Sequence, residues 1–117
     1  MRAALESIAY QIKDVLDAMA GDAALTPHTL HADGGMVANQ FLLQFLADMA
    51  QAPVVVSALA ELSPLGAALM GMLGTHLRTL AEIELMELPR RIVLPALSSG
   101  EAALLRQAWH TAVKRVL

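Results

Sequence analysis

From Leu5 the apolar positions Leu5, Ile8, Ile12, Val15, Leu16 and Met19 recur at three- and four-residue steps, with Glu6, Lys13, Asp14 and Asp17 on other faces. A period near 3.6 gathers such positions into one stripe, so the pattern predicts an amphipathic helix, with Gly21 placed to end it as a left-handed cap. The stretch DAALTPH reads as a connection, since Pro27 cannot continue a helix. Thr29 to Ala32, between Pro27 and Gly34, is expected to be a strand. After the glycines, Val37, Phe41, Leu42, Phe45, Leu46 and Met49 return to helical spacing. PVVVS follows from Pro53, and its consecutive β-branched residues predict a strand covered on both faces.

Strand, helix, strand with a connection of about twenty residues is the pattern of a parallel βαβ unit, right-handed by the usual chirality. The fold class read from it is α/β, a parallel βαβ unit with packed helices. A further helix is expected over Ser63 to Gly74, with Ser63 as cap, Pro64 in first position and Leu65, Ala68, Leu69, Met72 and Leu73 as its buried stripe. Gly66, Gly71 and Gly74 lower helix propensity by about 1 kcal/mol each, so close approach of another element is expected there. Between Leu80 and Pro95 the period is lost, and Pro89 and Pro95 bracket RRIVL, which reads as extended. Ser98 and Glu101 stand in capping-box spacing before a last helix with Leu105, Ala108, Trp109, Ala112, Val113 and Val116 on one face. No repeat, low-complexity tract or second domain is visible, so residues 1–117 read as a single domain.

Composition narrows the function. The chain is 56% hydrophobic but only 3% aromatic, with net charge -3 and pI near 5.7. It has the means to build an aliphatic core but neither basic stripe nor stacking platform, so no nucleic-acid role is expected. The most apolar run, PLGAALMGMLG, is too short for a membrane span. Absence of cysteine excludes disulfide and thiolate-zinc chemistry and fits a cytoplasmic protein.

Candidate chemistry is sparse. His28, His31, His76 and His110 form no metal-ligand spacing, and neither GxSxG nor GxxxxGK[ST] occurs. Arg90 and Arg91 read as a solvated flank or an anion contact, and Glu82, Glu84 and Glu87 as a solvated face or a cation site. Met36, Met49, Met70, Met72 and Met86 read as core filling. DGGMVAN, residues 33 to 39, is either a tight turn or a ligand site. Gly34 and Gly35 permit positive φ and carry no Cβ to hold a ligand away, the following helix start directs N–H groups outward, and Asn39 can add an amide.

DGGMVANQFLLQFLAD, residues 33 to 48, resembles the nucleotide-binding segment of the FGGY carbohydrate kinases, and among them the glycerol kinases, in which DGG precedes an NxFLxQFxAD helix. RAALESIAYQ, ELSPLGAALMG and WHTAVKRVL resemble three further segments of that family, in the same order. The resemblance implies part of an actin-like, ribonuclease H-like ATPase domain. By motif match it implies that Gly35 and Asn39 contact ATP, with Gly34 as the close-approach residue and Mg in the complete enzyme.

It also implies that the polyol-binding domain, phosphate loops and general-base aspartate lie outside this chain, so that the chain alone is not catalytic. Met36 stands where a small residue is common, and Ser63 and Pro64 where Thr and Ala are usual. The implied partners are an adenine nucleotide and either the remainder of a kinase or a second copy. A non-catalytic helical interaction module, or a kinase for another sugar such as a pentulose, are the alternatives.

Overall fold

The computed structural model describes residues 2–24, 26–59 and 61–116. Helix α1 spans Arg2–Ala23, strand β1 Leu30–Ala32, a 3-10 helix Gly35–Ala38, α2 Gln40–Ala50 and β2 Val54–Ser57. Helices α3, Leu62–Gly74, and α4, Leu80–Glu84, lead to β3, Arg90–Val93, and α5, Ser99–Lys114. The sheet has the order β1-β2-β3: β1 and β2 are parallel, with Leu30 opposite Val54, and β3 returns antiparallel, with Val56 opposite Arg91. The βαβ reading holds, and the extended RRIVL segment is a third strand.

The core lies on one side of the sheet. Val54 and Val56 are fully buried under α2, whose Leu42, Leu43, Leu46 and Met49 fill the space with Ala9 of α1. Val55 and Ser57 are only half-buried, so β2 is covered on one face and not on both. Its alternation is hidden in the sequence because Val serves on both faces. All four aromatic residues of the chain join one cluster. Tyr10 of α1 meets Phe45 of α2 edge-on at 5.3 Å and stacks on Trp109 of α5 at 5.1 Å; Phe45 stacks on Phe41 at 5.9 Å. Each such pair adds about 0.5–1.5 kcal/mol beyond its area, so few aromatic rings still join three helices.

Asp14 supplies the polar half of the α1–α5 contact, accepting from Trp109 Nε1 at 3.0 Å and facing His110 Nε2 at 2.9 Å. One turn on, Asp17 pairs with Lys13 and Arg106. Burial opposes the charge on Asp14, but the hydrogen bonds from His110 and Trp109 outweigh it and hold the carboxyl below its ordinary value. A depressed carboxyl contributes stability above its unfolded pKa and loses it as pH falls through the folded one. Acidification below the ordinary carboxylate range is therefore expected to loosen α5 and change Trp109 fluorescence; Asp14→Asn should abolish that part of the transition. An acid titration unaltered by the substitution would contradict the assignment.

Several expectations fail, for related reasons. Helix α1 passes through Gly21, and Ala24, not glycine, takes the positive φ of 51°. Its stripe faces outward: Ile8, Ile12, Val15 and Met19 are exposed, while Ala9 and Tyr10 turn inward. Glu61, without a side-chain cap bond, precedes α3, which places Ser63 and Pro64 inside the first turn. No α3 residue is buried, and nothing stands within 4 Å of a Cβ built on Gly66, Gly71 or Gly74. Of the five methionines read as core, Met49 alone is buried. On α5 the capping box of Ser98 and Glu101 forms as expected, yet Ala102 is its one buried residue. The helix α4, capped by Thr79 and Glu82, was hidden in the aperiodic stretch.

These exposures add up. The accessible surface is 8196 Å², whereas a compact chain of this mass would show roughly 6,100 Å². The radius of gyration is 17.6 Å over 57 × 33 × 28 Å, against about 13 Å for a compact chain of this length.

Candidate functional site

The DGG turn leaves the C-terminal end of β1 on the parallel side of the sheet. Gly34 has φ 88° and ψ -179°, a conformation closed to L side chains without strain. A Cβ at Gly34 or Gly35 would meet nothing within 4 Å, so both face open space. Gly34 caps the 3-10 helix, with its carbonyl accepting from Val37 N at 3.2 Å. The turn to Asn39 is thus a 3-10 helix and not the first turn of the long helix.

Asn39 begins α2. Its Oδ1 accepts from Leu42 N at 3.1 Å, satisfying one of the amides that a helix start leaves free. This commits its oxygen to the fold and leaves the amide nitrogen to point elsewhere. Arg91, from β3, donates from Nη2 to Val37 O at 2.8 Å and so fixes the turn from the far side of the sheet. Of the two arginines in the basic spot, Arg91 is a brace for the glycine turn, a role that required knowing that β3 pairs beside β2. Met36, the departure from the small residue, is half exposed at 51% and does not fill the turn.

The rest of the motif secures α2 to the chain after β3. Asp48, only 5% exposed, accepts at Oδ1 from Ala96 N at 2.6 Å and Leu97 N at 3.1 Å. Gln44 Nε2 donates to Leu94 O at 2.9 Å and to Asp48 at 3.2 Å, and Gln51 Nε2 to Leu97 O at 3.1 Å. Gln44 and Asp48 sit at i and i+4 on one face of α2, and Gln51 is its left-handed C-cap at φ 53°. In N-x-F-L-x-Q-F-x-A-D the asparagine therefore caps, the second phenylalanine packs and the glutamine and aspartate hold backbone. Gly34, Gly35 and the amide nitrogen of Asn39 take no part in this clamp.

A cavity of about 680 Å³ lies beside the turn, lined by His31, Asp33, Ser57, Leu62, Glu87 and Arg90 among others. It touches the motif at Asp33 and not at Gly34, Gly35 or Asn39. Glu82 is occupied as a helix cap, with its carboxyl held below the usual range by bonds from Thr79. Among the described residues no His, Asp or Glu cluster can hold a metal ion, and no helix is long and apolar enough to cross a membrane.

A glycine turn at the carboxyl end of a parallel strand, leading into a capped helix, belongs to the open α/β class, whose members take ligands outside the carboxyl ends of their strands. The chain belongs to the FGGY family of carbohydrate kinases, whose C-terminal domain matches it over residues 1–75. It is 42% identical over 116 residues to the glycerol kinase of Koribacter versatilis and 44% identical over 122 residues to that of Azotobacter vinelandii. Each comparison covers 98% of this chain and 23% of the relative. The structure of Plasmodium falciparum glycerol kinase with ADP superposes with a TM-score of 0.85 at 28% identity, over 99% of this chain and 24% of the other. The arrangement is that of the C-terminal, actin-like ATPase domain of these kinases, and the chain spans about a quarter of the relatives' length.

Proposed function

We propose that the chain is the nucleotide-binding C-terminal portion of a glycerol-kinase-like carbohydrate kinase, which transfers a phosphoryl group from ATP, with Mg, to glycerol or a related polyol. The observation that carries this reading is the open Gly34 turn at φ 88°, joined to the Asn39-capped helix, in a chain matched nearly end to end by a kinase solved with ADP. Gly34 and Gly35 let the nucleotide approach the backbone, and the Asn39 amide donates to it.

Phosphoryl transfer rests on holding nucleotide, metal and acceptor in line. This chain supplies one wall of that arrangement. Two or three hydrogen bonds to a charged nucleotide contribute about 1.5–3 kcal/mol each, and the cost of association offsets much of the total. Affinity of the chain alone is thus of millimolar order, about 4 kcal/mol. The other walls, the polyol site and the general base come from the remainder of the kinase, in the cytoplasm. The outward stripe of Ile8, Ile12, Val15 and Met19 and the uncovered α3 favour such a partner, because apolar area of this extent is normally covered. The same surfaces are what an interaction module would use; ATP chemistry separates the two.

Mixing the chain with the complementary three quarters of a homologous glycerol kinase tests the proposal. ATP-dependent phosphorylation of glycerol in the mixture, absent from either part, is the expected result. A stable complex without activity would reject it in favour of the interaction module.

A further inference from the structure

The 3-10 helix Gly35–Ala38 turns once in three residues, so side chains three apart stand over one another. Val37 anchors it: the side chain packs half-buried against the core, and the carbonyl accepts from Arg91 Nη2 at 2.8 Å. With that face turned inward, Met36 and Asn39 share another. Asn39 N donates to Met36 O at 3.1 Å, which keeps the two in this register. The face that carries the amide nitrogen of Asn39 thus carries a thioether as well. Met36 takes no part in the core cluster, so the fold of the chain makes no use of its side chain.

We infer that Met36 is the residue by which the turn holds the base of its nucleotide, the thioether packing against the aromatic ring. This rests on the nucleotide reading of Gly34, Gly35 and Asn39, and adds to it which part of the ligand meets which part of the turn. A thioether is soft and polarizable and sits favourably about 5 Å from an aromatic ring, often at the ring edge. It is a weak acceptor with no N–H or O–H to give, so the charged phosphates gain nothing from it, and the base is the part of the ligand that matches. The unbranched side chain with three rotatable bonds can follow a ring that the Asn39 amide has placed. Val37 faces the core and Phe41 is stacked on Phe45, which leaves Met36 as the large apolar side chain that the turn can turn toward a ring. The backbone at Gly34 and Gly35, where a Cβ would stand in open space, is then left to the polar parts of the same ligand.

Titration of the full chain, labelled with 13C in its methionine methyl groups and 15N in its amides, with ADP and separately with inorganic pyrophosphate, tests this. The Met36 methyl signal is identified by its loss in Met36→Leu, and that of Met49, buried in the core, serves as the control. ADP should move the Met36 methyl upfield by the ring current of the base, together with the amides of Gly34, Gly35 and Asn39, and leave Met49 in place. Pyrophosphate, which has no ring, should leave the Met36 methyl where it is. Met36→Ala should weaken ADP about two- to tenfold with the melting transition unchanged and the response to pyrophosphate unaltered. A Met36 methyl that stays still while ADP moves the turn amides overturns the base contact and leaves the nucleotide reading standing. So does an alanine variant that binds ADP as well as the wild type or better. Turn amides that ignore ADP altogether overturn the nucleotide reading, and the base contact with it.

Discussion

Asp48→Ala is expected to lower stability by about 3 kcal/mol, since each of its two backbone bonds is made to a charged acceptor and is worth about 1.5–3 kcal/mol. Asp48 is 5% exposed and serves the amides of Ala96 and Leu97, the two residues that turn the chain from β3 into α5. Removing the carboxylate leaves both amides and the Gln44 side chain without it in a part-buried contact. Small domains hold about 5–15 kcal/mol in all, so the variant should melt far earlier, with α5 and Trp109 released first. Asp48→Asn keeps an acceptor oxygen and should lose about half as much. Chemical denaturation followed by Trp109 emission reads both. A loss below about 1 kcal/mol for the alanine variant, the size of an ordinary substitution, would show that the segment is held by something else.

Asp48 also shows where reading the sequence succeeds and where it stops. The βαβ unit, the segment RRIVL and the Ser98–Glu101 cap were legible because each is a local signal: a period, a proline bracket, a side chain bonding its own backbone three residues on. The clamp was not, because Asp48 and Ala96 are far apart along the chain and meet only through the β2–β3 pairing. The same holds for Arg91 on Val37. The apolar stripe of α1 and the whole of α3 were misread in the other direction. Periodicity reports that a face is apolar, not what lies against it, and here Ile8, Val15, Met70 and Met72 stay exposed. That misreading leaves exposed apolar faces on a chain that spans about a quarter of the length of its relatives, the faces to which the proposed remainder of the kinase is assigned. The glycine turn was legible as a place, through Gly34 and Gly35. Its partition of labour was not, for only the structure shows Asn39 already engaged as a cap.

That partition permits a substitution that separates fold from ligand. Aspartate caps a helix as well as asparagine does, so Asn39→Asp should keep the bond to Leu42 N and the start of α2. It has no amide hydrogens to donate and sets a negative charge beside an anionic nucleotide. Affinity for ADP should fall at least about tenfold, or 1.4 kcal/mol, with the melting transition nearly unchanged. Asn39→Ala instead removes the cap, costing about 1 kcal/mol of stability, and confounds the two.

The direct measurement is a titration of the isotope-labelled chain with ADP, followed by amide chemical shifts in the wild type and in Asn39→Asp. The account predicts saturable, millimolar changes confined to the turn, greatest at Gly34, Gly35 and Asn39, and their loss in the aspartate variant. Shifts centred elsewhere, or equal binding by Asn39→Asp with its helix cap intact, would contradict it.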